Sequence, residues 1–207
     1  MRAHDLLWLR PAACAGGAAL PDWVEPDWPV VVRRAPQAGR DLIPVGLRGR
    51  TRNQRHAAWV APARVARCCT PEALALERGW ERRCGGGLGC LDTLARIAPM
   101  LDAAGLAWGP TGSVGFALAS GVDILHPQSD LDLLVRAERP LDADQIVLLQ
   151  SLKLDAACRL DVQVDTGHGG FALDEWLAGR RTVLLKTADG PRLVGNPWQP
   201  DAEACRP

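Results

Sequence analysis

The chain has 207 residues, 47% of them hydrophobic and 23% charged, which is the composition of a folded globular protein and not of a disordered one. Its 24 basic and 24 acidic residues cancel, so overall charge gives no argument for nucleic acid or an anionic membrane as partner. No segment approaches the roughly 18 apolar residues of a membrane span, the apolar run near the N-terminus, "LLWL", is too short for a signal-peptide core, and the chain reads as cytoplasmic.

Seven cysteines, an odd number, fit reduced thiols in that compartment. Cys68, Cys69, Cys84 and Cys90 lack the C-x-x-C or C-x-x-H spacing of a zinc site and read as free thiols. At this length the chain can form one domain or two small ones.

In chain order, "PVVVRR" (29–34) and "LIPVGLRG" (42–49) read as β-strands bounded by Pro, Gly and Asp. The alternation continues through Arg48, Arg50 and Arg52, and this period of two predicts three guanidinium groups on one strand face. From Trp28 to Cys69 there are nine arginines against one acid, Asp41. "TPEALALERGWERR" (70–83) predicts a helix with Thr70 as cap, Pro71 at its first position and Glu72 in its first turn. Four glycines in "CGGGLGC" (84–90) then mark a boundary. Residues 1–88 are expected to form an Arg-rich N-terminal domain and residues 89–207 a second, larger one.

Beyond the boundary, Leu91, Leu94, Ile97, Ala98 and Leu101 fall at helical spacing, with Gly105 as the stop. "LAWGP" predicts a strand, "TGSVGFALASG" a tight turn opening a helix, and "SDLDLLVRA" (129–137) a strand. "DADQIVLLQSLKLDAACR" (142–159) predicts a helix capped by Asp142, and "LDVQVDT" (160–166) a cleanly alternating strand. "GFALDEWLAGR" reads as a helix, and "TVLLKT" with "PRLVG" as a closing hairpin about Asp189-Gly190. This succession predicts an α+β (mixed α/β) sheet domain with helices, joined to a smaller N-terminal α+β domain. The stretch from Asp142 to Glu175 holds seven acids against Lys153 and Arg159, so the chain is electrically lopsided.

On a strand, Asp130 and Asp132 project to the same side; a D-x-D triplet arising by chance among 24 acids is the plain alternative, and a second one stands at Asp142 and Asp144, where a helix start favours acids. Two ionised carboxylates that close repel unless a cation lies between them, and oxygen-rich sites of this kind suit Mg²⁺, which takes its remaining ligands from water and substrate phosphates. Upstream, Gly112-Ser113 lies at a strand-to-helix turn, where open backbone N–H groups and the helix dipole favour a phosphate; a helix cap is the plain alternative. Downstream, Asp161, Gln163 and Asp165 share one strand face, and Asp161 or Asp165 can serve as a third carboxylate. A solvated strand face is the alternative for this trio. Lys186, one of two lysines, is a candidate to neutralise phosphate charge, with a surface lysine as the alternative.

Gly-Ser, then D-x-D at a strand start, then a helix, then a strand bearing another Asp: this order resembles the nucleotidyltransferase superfamily of the polymerase-β type. The segments "HDLLWL", "IPVGLRGRTRNQRHAAWV", "TGSVGFALASG…PQSDLDLLVR", "LDVQVDTGHGGFALDEW", "VLLKT" and "GPRLVGNPW" resemble more closely the phosphoribosyl-dephospho-CoA transferase family that serves malonate decarboxylase (holo-acyl-carrier-protein synthase). The N-terminal segments carry that closer resemblance, since they are not general nucleotidyltransferase features.

The resemblance implies a nucleotidyltransferase-type mixed sheet and transfer of the prosthetic group of 2'-(5''-triphosphoribosyl)-3'-dephospho-CoA to a serine of the apo acyl-carrier subunit of malonate decarboxylase, with release of pyrophosphate. It implies Asp130, Asp132 and Asp161 as catalytic residues and Mg²⁺ ligands, in a two-ion site. It implies Gly112 and Ser113 as triphosphate contacts, and substrate-binding roles for Gln163 and Lys186. Arg48, Arg50, Arg52 and Arg55 are candidates to grip substrate phosphates or an acidic carrier, with a merely solvated face as the alternative. No nucleic-acid-binding motif accompanies them. His56 and His168 read as structural, although "DTGHGG" sets His168 in a Gly-rich loop near the expected site. Other acceptors, namely the citrate lyase carrier protein or a small molecule, and an inactive binding module of the same fold remain as alternatives.

Overall fold

The computed structural model describes residues 1–10, 21–36, 41–51 and 53–200. The short apolar run Leu6–Leu9 is a strand, β1, flanked in one antiparallel sheet by β2 (Val30–Val32), β3 (Ile43–Arg48), β4 (Arg55–Val60) and β5 (Val65–Cys69), in the order β4-β3-β2-β1-β5. Alternation sorts its faces: Leu7, Val30, Val32, Val45, Leu47 and Val60 bury one side as a small core, which leaves Leu6, Val31, Gly46, Arg48 and Ala57 on the other.

Thr70 caps α1 (Pro71–Glu77), its hydroxyl oxygen accepting the Ala73 N–H at 3.1 Å. Helix α2 (Gly89–Ala103) buries Leu91, Leu94, Ile97, Ala98 and Leu101 completely and ends before Gly105, whose φ of 65° is left-handed. A second sheet follows, with β6 (Ala107–Pro110), α3 (Gly112–Ser120), β7 (Leu131–Arg136), α4 (Ala143–Leu154), β8 (Leu160–Asp165), β9 (Gly170–Ala172), α5 (Leu173–Leu177), β10 (Val183–Thr187) and β11 (Gly190–Val194). Its order is β11-β10-β9-β8-β7-β6, with β7 and β8 parallel and the other neighbours antiparallel. The parallel pair needs a crossover, which α4 provides. Asp142 starts that helix with a capping box, accepting from Gln145 N–H at 2.8 Å while the Gln145 side chain accepts from Asp142 N–H. The fold is therefore mixed α+β, as the sequence predicts.

In this sheet Leu131, Leu133, Val135, Leu160, Val162 and Val164 pack into the main core with α2 and α4. The opposite face carries Asp132, Asp161, Gln163, Asp165, Gly170 and Lys186, and it meets the N-terminal sheet. Arg136 ties the two together: 6% exposed, it donates to Glu72 at 2.6 Å, Asp165 at 2.9 Å, Asp5 at 3.3 Å and the Ala3 carbonyl at 3.1 Å. Arg34 adds a 2.8 Å pair to Asp165 from the N-terminal side.

Four expectations change. β3 ends at Arg48 and a turn returns as β4, with Gly49 N–H donating to the Gln54 carbonyl at 2.8 Å, so Arg50 leaves the strand and the three-arginine face does not form; Arg52 lies outside the described residues. α1 ends at Arg78, in the left-handed region with φ 50°, and a separate 3₁₀ turn covers Gly79–Arg82. α4 stops at Leu154, five residues short of the span read from the sequence. In "GFALDEWLAGR" the first three residues pair with β8 and β10 as β9, leaving a helix of five residues. Phe171 drives that exchange, packing edge-on to Trp198 with ring centroids 5.4 Å apart, while Trp176 packs on both rings.

Candidate active site

β6 and β7 pair side by side, and the chain leaves β6 at Pro110 to enter α3 directly. Thr111 fastens this junction to β7 by donating its N–H to the Asp132 carbonyl at 2.8 Å. Gly112, the first residue of α3, has φ 59°, and a Cβ added there would lie 1.8 Å from Asp132 Oδ2. Only glycine lets the helix start this close to the carboxylate. The helix cap residue, Thr111, makes no side-chain hydrogen bond to the first turn, so the amides of that turn are open to a ligand rather than capped.

Parallel pairing sets Asp132 directly beside Asp161, and Arg136 beside Asp165 four residues further along. This register separates the two candidates for a third carboxylate. Asp165 is committed to Arg34 and Arg136, whereas Asp161 stands with Asp132 and pairs with Arg159 at 3.0 Å in a partly exposed position.

These groups line a cleft of about 1210 Å³ between the two sheets, walled by Arg48, Arg55, Gly112, Asp132, Asp161, Gln163 and Lys186 among the residues singled out in the sequence. Asp130, Ser113 and Arg50 are not part of its wall. Asp130 precedes the first residue of β7, Ser113 sits in the first turn of α3, and Arg50 lies over the Trp28 ring at 5.3 Å. His56 lines the cleft, but His168 does not and is exposed in the β8–β9 turn.

Arg48 bridges the sheets. From the end of β3 its Nη1 donates to the Gly112 carbonyl at 3.2 Å and its guanidinium lies 4.8 Å from the Phe116 ring centroid. Burial and the neighbouring Arg55 press its pKa down while Asp132 pulls it up. Among the described residues its buried Nε has no hydrogen-bond partner, so that donor is available to an anion.

Sequence reading did not single out His4, Arg33, Arg34 or Arg159 as functional, yet all four line the cleft. His4 has φ 75°, and its Nε2 lies 3.3 Å from Arg34 Nη1. Burial and the charges of Arg34 and Arg136 lower its pKa to about 4, so it is neutral at physiological pH.

Among the described residues no three His, Cys, Asp or Glu side chains gather as a metal site, and neither a zinc cluster nor a closed three-carboxylate cage forms. Mg²⁺ does not need one: one or two carboxylates suffice when phosphate oxygens complete the shell. Asp132 at the Gly112 cradle, two residues from Asp130 in sequence, meets that donor requirement.

Known proteins align with nearly the whole chain. The family model described as phosphoribosyl-dephospho-CoA transferase MdcG N-terminal domain matches residues 2–71, and that of the MdcG C-terminal domain matches residues 80–197. The phosphoribosyl-dephospho-CoA transferase of Pseudomonas putida strain GB-1 is 43% identical over 213 residues, covering 99% of this chain and 98% of the relative. The protein of that name from Klebsiella pneumoniae strain 342 is 45% identical over 202 residues, covering 95% and 96%, and the one from Pseudomonas putida strain W619 is 48% identical over 201 residues, covering 94% of each. No solved structure matches the chain.

Proposed function

The chain belongs to the phosphoribosyl-dephospho-CoA transferase family and is a transferase, and from that premise we propose that its cleft binds 2'-(5''-triphosphoribosyl)-3'-dephospho-CoA and transfers the phosphoribosyl-dephospho-CoA group to a serine of the apo acyl-carrier subunit of malonate decarboxylase. The observation that carries this reading is the pairing of Asp132 with Asp161 beneath the uncapped start of α3, where Asp132 is packed against Gly112.

The open amides of Gly112 and Ser113 and the guanidinium of Arg48 hold the triphosphate at the head of α3. The serine Oγ forms a bond to the α-phosphorus as the bond from that phosphorus to the bridging oxygen breaks, and pyrophosphate leaves. Asp161, exchanged from Arg159, orients the hydroxyl and accepts its proton. Asp130 and Asp132, with Asp161 nearby, are the residues that would hold Mg²⁺. When bound, the metal neutralises charge building on the phosphate oxygens and the leaving pyrophosphate. Positioning and charge stabilisation supply most of the rate in reactions of this class.

In this reading residues 1–88 form the unit that closes over the donor, and residues 89–207 the catalytic unit. No helix among the described residues is long and apolar enough to cross a membrane, and we place the reaction in the cytoplasm, with its carrier. The test is intact-mass measurement of apo carrier subunit after incubation with the protein, Mg²⁺ and the triphosphoribosyl donor. The expected result is a gain of one prosthetic group with one pyrophosphate released. An unchanged mass with an authentic acceptor removes the proposal.

A further inference from the structure

The cleft has two ends with different chemistry. One is the carboxylate pair beneath α3; the other lies further along β8, where Asp165 pairs with Gly170 and Gly170 in turn pairs with Lys186. Direct partners share a sheet face, so Lys186 projects on the same side as Asp165. The Arg34 guanidinium covers this spot, since a Cβ on Gly170 would lie 2.7 Å from Arg34 Nη2. On strand geometry Lys186 is four residues along and two strands across from Asp161, roughly 16 Å between Cα atoms.

The charges at this end are not equivalent. Arg34 is neutralised by Asp165 at 2.8 Å. Lys186 is exposed to the cleft and has no ion pair or side-chain hydrogen bond among the described residues. Arg33, which follows β2 and precedes Arg34 in the chain, uses Nε to donate to the Val45 carbonyl at 3.1 Å, and its side chain lies across Gly46, where a Cβ would come within 3.2 Å of Cδ. Among the described residues no acid pairs with either of these two cleft cations, while the cleft acids Asp161 and Asp174 pair with Arg159 and Lys153.

We propose that Lys186 and Arg33 form a second phosphate site, which holds the diphosphate of the dephospho-CoA portion of the donor while its triphosphate lies at Gly112. This rests on the function proposed above. A donor of that class carries two phosphate groups separated by two riboses: the triphosphate, which reacts, and the internal diphosphate, which is transferred intact. With roughly 16 Å between the Asp161 and Lys186 Cα atoms, a donor whose two phosphate groups are held apart by two riboses has the length to place one at each end. The cleft, at about 1210 Å³, exceeds the roughly 300–1,000 Å³ of ordinary small-molecule pockets and has room for a ligand spanning both ends. The site therefore distinguishes a dephospho-CoA donor from a simple nucleoside triphosphate, which can fill one end only.

The test is titration calorimetry on the full chain with two probes: dephospho-CoA, which carries only the internal diphosphate, and tripolyphosphate with Mg²⁺, which resembles only the reacting end. Lys186→Ala and Arg33→Ala are expected to weaken dephospho-CoA by about tenfold or more, the worth of a charge-assisted contact, and to leave tripolyphosphate within about twofold; Arg48→Ala is expected to do the reverse. Lys186→Arg, which keeps the charge, is expected to restore most of the dephospho-CoA affinity. The inference is overturned if the Lys186 variant weakens both probes alike, or neither, or if the unaltered protein does not bind dephospho-CoA. Carrier modification by the unaltered protein, run in parallel, separates the two claims: transfer with unchanged dephospho-CoA binding in Lys186→Ala sinks the second site alone, and selective loss of binding without transfer keeps the site and sinks the proposed acceptor reaction.

Discussion

Gly112 and Asp132 occupy what is sterically one position: the Asp132 carboxylate oxygen Oδ2 lies 1.8 Å from where a Cβ on residue 112 would stand, and residue 112 has φ 59°. Gly112→Ala must therefore displace either the carboxylate or the first turn of α3. The expected outcome is a fall in kcat of about 100-fold or more, with a far-UV circular dichroism spectrum like that of the parent. Normal turnover in this variant would show that neither group needs its observed place.

The two aspartates of the D-x-D motif differ in placement, since Asp132 lines the cleft and Asp130 precedes β7 outside its wall. Both Asp130→Asn and Asp132→Asn are expected to lower turnover, by about 100-fold or more if they hold a metal needed for the chemistry, and EDTA is expected to abolish it. Added Mg²⁺ should rescue the chelated protein and should saturate at higher concentration in the variants than in the parent. Turnover that survives exhaustive chelation removes the metal from the proposal.

Arg48 and Arg50 stand two apart in the sequence and look interchangeable there, yet Arg48 reaches the Gly112 carbonyl and Arg50 lies over Trp28 outside the cleft. Arg48→Ala is expected to raise the donor KM by about tenfold or more, with the larger effect at low salt. Arg50→Ala is expected to leave it within about twofold. Equal effects from both, measured by steady-state pyrophosphate release, would return the arginines to a general field effect.

What could be read from the residues alone followed local periodicity. The alternation of Leu160–Asp165, the helical spacing of Leu91 to Leu101 and the Thr70 and Asp142 caps each depend on near neighbours, and each is present in the fold. β4 was hidden by its two alanines and β5 by its exposed Ala66, Arg67 and Cys68, which give no apolar alternation. β9 was hidden because "GFALDEW" suits a helix until Phe171 finds Trp198 across the fold. The choice between Asp161 and Asp165 needed strand register, which no local pattern encodes. The inward role of Arg34 needed both sheets, because its partner Asp165 is 131 residues away. A faint signal for Arg136 was present, as it ends a strand whose other members are largely buried.

Arg136 is the cation on which the contact between the sheets turns, with Asp5, Glu72 and Asp165 all accepting from it and its side chain only 6% exposed. Arg136→Met fits the volume but leaves those carboxylates short of a counter-charge. Removing one partner of a buried ionic cluster typically costs about 3–5 kcal/mol, and urea unfolding of the variant is expected to fall in that range. A loss under about 1 kcal/mol would mean that Arg2 and Arg34 alone satisfy the acids.

His4 supplies a pH-dependent part of stability whose sign follows from its environment. Burial, Arg34 and Arg136 lower its pKa from 6.5 to about 4, so between those values the unfolded chain binds a proton that the native protein does not. Stability then rises with pH through this window: the contribution is complete above pH 6.5, declines as pH falls, and is exhausted near pH 4, where the native imidazole also protonates. Asp5 acts in the opposite sense over its own range, because burial raises its pKa, so the His4 term is isolated by substitution. His4→Asn suits the backbone, since Asn tolerates the left-handed φ of 75° better than most residues. The difference in unfolding free energy between parent and variant, followed by urea titration, is expected to shift in the variant's favour as the pH is lowered from 6.5 to about 4. A pH-independent difference across that interval would show that the native imidazole titrates like the unfolded one.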